Sequence, residues 1–355
     1  MTSTSRPVRP RWEAGQEGGL SCPPLHRRSI TGGLWILSCF MTASLVFSQS
    51  GLDQHILEKF RQGRFQEASV LARQAVEQEG SNAVYQELYG MVLAALGKNE
   101  EAERHLRRAV EIQPQQPDFH YNLAQFLLGR QEESGLHPFD PRARRLIEDA
   151  ATALKRVLEI SPGNVEARMS LARSYNNLNF SEMALKEYST VASGEPNRPW
   201  LSFQMGMLHS NLSNPVNAVA AFRREIALYP GHARARLELA GILLQQGTVE
   251  EAKRQLSRAE PGIEDSLKHR VYFLLAKAHR NLGSTEDALA AVRKSIDLCP
   301  SFIAPNYLLA QLYREAGEPD LARRALERVE RLRAQDSSSA DPFAFREGHC
   351  PDRNR

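Results

Sequence analysis

Residues 83–116 read AVYQELYGMVLAALGKNEEAERHLRRAVEIQPQQ. Apolar residues recur at helical spacing on both sides of Gly97, which marks two amphipathic helices joined at a residue free to adopt a left-handed turn. Gly90 in the first helix and Ala102 in the second let two antiparallel helices approach closely, while Leu93, Leu106 and Ala109 fill the seam and Pro114 stops the second helix. The stretch is a helical hairpin.

The hairpin recurs along the chain. Alanines fall at Ala68, Ala102, Ala150, Ala184, Ala218, Ala252, Ala288 and Ala322, with spacings of 34, 48, 34, 34, 34, 36 and 34 residues. Twelve residues before seven of them stand Ile56, Gly90, Ala172, Gly206, Ala240, Ala276 and Ala310; before Ala150 the equivalent is Ala124, which locates a 14-residue insertion near residues 129–143. Eight such periods with insertions of 14 and 2 residues span 288 residues, from Gln49 to Asp336. Gly63, Gly97, Gly247, Gly283 and Gly317 mark turns inside the hairpins, and Pro114, Pro162, Pro196, Pro230 and Pro300 close the second helices. Thr248 and Glu251 have the spacing of a capping box, and Asp140-Pro141 that of an N-cap followed by a first-turn proline. Most of the insertion is expected to be a loop, from Gly129 to Phe139, ahead of a lengthened second helix. With no β-type alternation sustained, the fold expected is all-α.

The period and the small-residue, alanine and proline pattern resemble the tetratricopeptide repeat (TPR) family. The resemblance covers residues 49–336 and departs at Ile56, in a small-residue position, and at Glu225, where alanine is usual. It implies a right-handed α-solenoid of about eight hairpins whose first helices line a concave groove that binds proteins or peptides.

Outside the repeats the composition changes. Residues 1–29 carry Arg6, Arg9, Arg11, Arg27 and Arg28 against Glu13 and Glu17, and the apolar run Ile30 to Phe47 follows. That order reads as residues 1–48 forming a signal peptide cleaved after Ser48, with export to the periplasm or the outside as the expected localisation; the alternative is a membrane anchor through residues 30–47. Cleavage leaves 40 basic and 40 acidic residues, so the body exerts no global pull on nucleic acid, and no membrane span remains. It also leaves Cys299 and Cys350, expected to be unpaired because Cys350 lies in the polar tail of residues 337–355, read as disordered.

Catalytic and metal motifs fail one by one. Gly90 to Lys98 has the wrong glycine spacing for a phosphate loop, and Asn99 stands where Ser or Thr is needed. His209 and His279 hold the same position in two repeats and read as packing residues. No nucleophile, base and orienter set is present, so no enzyme activity, cofactor or metal is expected. The function expected is a non-catalytic scaffold in the cell envelope or outside the cell; the alternative is an accessory subunit or carrier region serving an envelope enzyme, or a weak hydrolase whose site is built by the insertion with His137 and Asp140. By the resemblance, the groove of the third and fourth repeats offers Asn122, Gln125, Arg173, Asn176 and Asn177 to a peptide backbone. The later repeats place Arg234, Arg270, Lys277, Arg280 and Arg314 among Trp200, Phe203, Phe273 and Tyr307. Cations beside aromatics suit a partner protein or peptide with acidic and apolar residues.

Overall fold

The computed structural model describes residues 51–337, and the readings placed on the leader, its cleavage site and the tail beyond residue 337 lie outside them. Sixteen α-helices are present among the described residues: α1 (Gly51–Arg61), α2 (Phe65–Gln78), α3 (Ala83–Ala95), α4 (Asn99–Ile112), α5 (Pro117–Ser134), α6 (Pro141–Ile160), α7 (Val165–Asn177), α8 (Ser181–Gly194), α9 (Leu201–Asn211), α10 (Pro215–Leu228), α11 (Ala233–Gln245), α12 (Val249–Ala259), α13 (Asp265–Asn281), α14 (Thr285–Leu298), α15 (Ile303–Glu315) and α16 (Pro319–Ser337). Each odd-numbered helix packs on the even-numbered helix after it, which gives eight hairpins stacked in chain order. Where alternate helices also touch substantially, the pairs are α1 with α3, α11 with α13 and α13 with α15. Odd-numbered helices therefore lie on the tighter, inner side of the solenoid. No helix of the described residues is long and apolar enough to cross a membrane.

The small-residue positions do what close packing demands. A Cβ on Gly90 would stand 2.8 Å from Leu106 Cγ, and one on Gly206 would stand 2.7 Å from Phe222 Cε1. Ile56 breaks the pattern because its hairpin exchanges the volumes: Ala72 stands where the second repeat has Leu106, and Ile56 and Ala72 are both fully buried in one cluster.

Turn chemistry follows the glycines. Gly63, Gly97, Gly247, Gly283 and Gly317 all have positive φ, as does Gly135 in the third hairpin, and the two hairpins without such a glycine put Asn179 (φ 63°) and Ser213 (φ 55°) in the same left-handed place. The expected capping box at Thr248 is not formed: its hydroxyl donates to the Leu243 carbonyl at 3.0 Å and so closes α11 instead of starting α12. The Asp140 carboxylate does cap α6, accepting from the Arg142 N–H at 2.8 Å.

The insertion is helix rather than loop over Gly129–Ser134, and only Gly135–Asp140 connects the two helices. Against the second repeat, α5 gains five residues, α6 six and the turn three. Burial explains this: Ala143 and Gln131 pack between the lengthened arms, the Gln131 side chain donates to the Leu136 carbonyl at 3.3 Å, and Arg130 pairs with Glu103 of the second repeat.

The expectation for Cys299 is overturned as well. Cys299 is fully buried and disulfide-bonded, its partner lying outside the described residues.

Candidate functional groove

The inner strip divides into two chemically different halves. In the first, polar side chains are spent on one another. The Asn122 amide on α5 donates to the Glu87 carboxylate on α3 at 2.7 Å, both side chains being buried, and burial pushes the Glu87 carboxyl up to about 7. One repeat further on, Gln125 donates to the Ser170 hydroxyl at 3.0 Å, and Arg173 also reaches that hydroxyl at 3.3 Å. Asn122 and Gln125 thus join neighbouring repeats. Arg173 and Asn177 are exposed and Asn176 is half-buried.

The middle of the strip is closed by a buried cluster. Trp200 takes φ 67° and starts α9 late, so the helix lacks a side-chain cap from its own N-terminus. Glu225, from α10, takes over that role: its carboxylate is fully buried and accepts the backbone N–H groups of Trp200 at 3.1 Å and Phe203 at 3.3 Å. Burial raises its pKa against those hydrogen bonds. The His232 ring lies 4.1 Å from the Trp200 ring and 4.9 Å from the Phe203 ring, and its Nδ1 accepts from the Ala235 N–H to cap α11. Burial depresses the His232 pKa to about 4. Phe203 is consequently interior, packed on Phe222 at 5.8 Å between centroids, and Trp200 is half-buried beside it. The unusual glutamate was legible as a departure from the alanine pattern; the Trp200 backbone that explains it was not.

The second half is open, and here four of the residues expected in the groove converge. Phe273, Lys277 and Arg280 from α13 and Tyr307 from α15 line a pocket of about 160 Å³, with Gln311 beside them. Phe273 is fixed edge-on to Phe302 at 5.3 Å. Lys277 lies over the Phe273 ring at 5.7 Å and has no ion-pair partner among the described residues. Arg280 is already held, by Glu315 at 2.5 Å and Gln311 at 2.8 Å, and Arg270 by Glu238 at 3.1 Å. Arg333 of α16 covers the other ring, 5.2 Å from the Tyr307 centroid. Arg234 is half-buried and Arg314 exposed, and neither joins the pocket lining. In the insertion, Asp140 caps α6, which holds its carboxyl below the usual range, and His137 stacks on Phe139 at 5.1 Å. No group of acids, histidines and cysteines among the described residues has the arrangement of a metal site.

Comparison with known proteins agrees with this architecture. Family models described as TPR repeat or tetratricopeptide repeat match residues 90–129, 203–266, 269–302 and 306–328. No curated protein matches the chain. Among solved structures, PilF of Pseudomonas aeruginosa is 17% identical, with 64% of this chain and 97% of that one covered and a TM-score of 0.50. A tetratricopeptide repeat protein from Parabacteroides merdae is 16% identical over 74% and 96% at 0.49, and MamA from Desulfovibrio magneticus RS-1 is 23% identical over 50% and 98% at 0.46. The likeness to PilF, at 17% identity, speaks to fold alone. Repeat period, hairpin stacking and four family matches together assign the chain to the tetratricopeptide repeat proteins.

Proposed function

We propose that the protein is a non-catalytic scaffold of the cell envelope or the extracellular space that captures an acidic, apolar peptide segment of a partner in the groove between α13 and α15. One observation carries the reading: Lys277, without an ion-pair partner among the described residues, lies over the half-buried Phe273 ring in the pocket that Tyr307 also lines, where four expected groove residues meet. A carboxylate meets Lys277 there, and the rings take its apolar neighbour. Arg270 and Arg280 contribute shape and field through their carboxylate-bound guanidinium groups, and Lys277 contributes the available charge. Export is supported by the apolar run behind a basic leader and by the disulfide at Cys299, a bond that persists in oxidising compartments.

The test is fluorescence anisotropy of a labelled peptide, Gly-Leu-Asp-Glu-Leu-Phe-Gly, on the wild-type chain and on Lys277→Glu. Affinity should fall about tenfold or more in the variant, a change on the order of 1.4 kcal/mol, and added salt should weaken wild-type binding. Equal affinity in the two chains refutes the placement.

A further inference from the structure

Six of the seven hairpins from the second to the eighth use side chains of their own to close the wedge between the two helices and the preceding turn; in the third, His120 Nε2 lies 3.0 Å from the Pro114 carbonyl oxygen and Arg156 donates to the Gln115 side chain at 3.2 Å. In the second repeat Gln86 reaches His105 at 2.7 Å and the Gly80 carbonyl at 2.8 Å. In the fourth, Arg168 reaches Glu187 at 2.7 Å and the Pro162 carbonyl at 2.8 Å. In the sixth, Arg236 reaches Gln255 at 2.6 Å and the Pro230 carbonyl at 2.7 Å. The paired side chains are each time 19 residues apart. In the fifth and seventh repeats the second member is an alanine, Ala221 or Ala291, and a basic residue three positions later closes the wedge: Arg224 donates to the Pro196 carbonyl at 3.0 Å, and Lys294 lies 4.0 Å from the Tyr272 ring centroid.

The eighth repeat has the same register and neither closure. Asn306 and Ala325 occupy the paired positions, and Arg328 occupies that of Arg224 and Lys294. Asn306 is fully buried; its amide donates to the Phe302 carbonyl at 3.1 Å, and its Oδ1 has no hydrogen-bond partner. Arg324 and Arg328 have no ion pair or hydrogen bond among the described residues, and Arg293 turns to the Tyr313 hydroxyl at 3.1 Å. These side chains, with Leu309 and Leu321, line a pocket of about 320 Å³ where α14, α15 and α16 meet. Asp297 is the acid on its wall, and it has a partner of its own.

We propose that this pocket is a second peptide site, separate from the groove, which takes an acidic side chain of a partner protein. Its carboxylate pairs with Arg324 and Arg328, a backbone N–H of the same peptide is accepted by Asn306 Oδ1, and the adjoining apolar side chain packs on Leu309 and Leu321. An anion without an O–H, such as sulfate, satisfies the arginines but brings the buried Asn306 oxygen no donor. The ligand thus supplies what Arg168 and Glu187 supply to the wedge of their own repeat.

The experiment uses the full chain carrying Lys277→Glu, so that capture in the groove is suppressed and failure here leaves the groove reading standing. Anisotropy is measured with labelled Gly-Leu-Glu-Glu-Leu-Gly and with the same peptide in which both glutamates are glutamine. Arg328→Gln should weaken binding of the acidic peptide about tenfold, and the pair Asn306→Arg with Ala325→Glu, which rebuilds the closed wedge, should abolish it. The glutamine peptide should bind at least tenfold more weakly, and millimolar sulfate should leave the acidic peptide bound. Circular dichroism checks folding; if the rebuilt pair does not fold, Arg328→Gln decides. Unchanged affinity in Arg328→Gln, equal binding of the two peptides, or full displacement by sulfate overturns the proposal.

Discussion

Asn122 donates to Glu87 at 2.7 Å across the seam between the second and third repeats, a bond between two buried side chains that ties two inner helices together. Burial pushes the Glu87 carboxyl from 4.5 to about 7, so the folded chain holds this proton more tightly than the unfolded chain. The protonated form's stabilisation is fully present below about 4.5 and is lost as pH rises through about 7. The loss is on the order of 3 kcal/mol. Glu87→Gln keeps an acceptor for Asn122 and should flatten the denaturation midpoint between these pH values while stabilising the chain at neutral pH. An unchanged pH profile in the variant would show that Glu87 is not the group responsible.

The glycine at residue 206 is set by a ring. A Cβ there would meet Phe222 Cε1 at 2.7 Å and Cδ1 at 2.8 Å, and Phe222 is fully buried with nowhere to retreat. Gly206→Ala should cost about 1 to 3 kcal/mol by overpacking despite the better helix propensity of alanine. Adding Phe222→Leu should recover most of the loss in chemical denaturation; no recovery would mean that the ring is not the obstacle.

Ser213 holds a left-handed turn at φ 55° that six other hairpins give to glycine. Ser213→Gly should stabilise the chain by up to about 1 kcal/mol, the steric cost of an L-residue in that conformation less the added entropy of the unfolded glycine. A lowered melting temperature would contradict this.

The number and order of hairpins were readable from Ala68 to Ala322 because close helix approach restricts those positions to small residues wherever the motif recurs. The groove was readable in outline only. Register identified Phe273, Lys277, Arg280 and Tyr307, which do converge, but which polar groups stay available depends on partners tens of residues away: Glu87 takes Asn122, Ser170 takes Gln125, and Glu315 takes Arg280. Phe203 went inside because Trp200 turns left-handed and Glu225 caps the shortened α9, a backbone event with no local sequence signal. The insertion was misread for a related reason. A loop composition around Gly129 was overridden by burial of Gln131 and Ala143 between lengthened helices.

Cleavage after Ser48 and pairing of Cys299 make a joint chemical expectation. Cleaved protein retains two of its four cysteines, Cys299 and Cys350, so thiol titration of the purified, unreduced chain should find no free thiol and amino-terminal sequencing should begin at Gln49. Two reactive thiols, or a retained leader, would each contradict that account.

The central claim is that a peptide lies on the inner strip between α13 and α15. Benzoylphenylalanine placed at Tyr307, in the pocket, and separately at Val216, on the exposed face of α10, allows photocrosslinking to labelled Gly-Leu-Asp-Glu-Leu-Phe-Gly from the inner and outer surfaces of one molecule. The account predicts a covalent adduct from position 307, suppressed by Lys277→Glu, and none from position 216. Equal adducts from both positions, or none from position 307 at peptide concentrations that saturate binding, would contradict it.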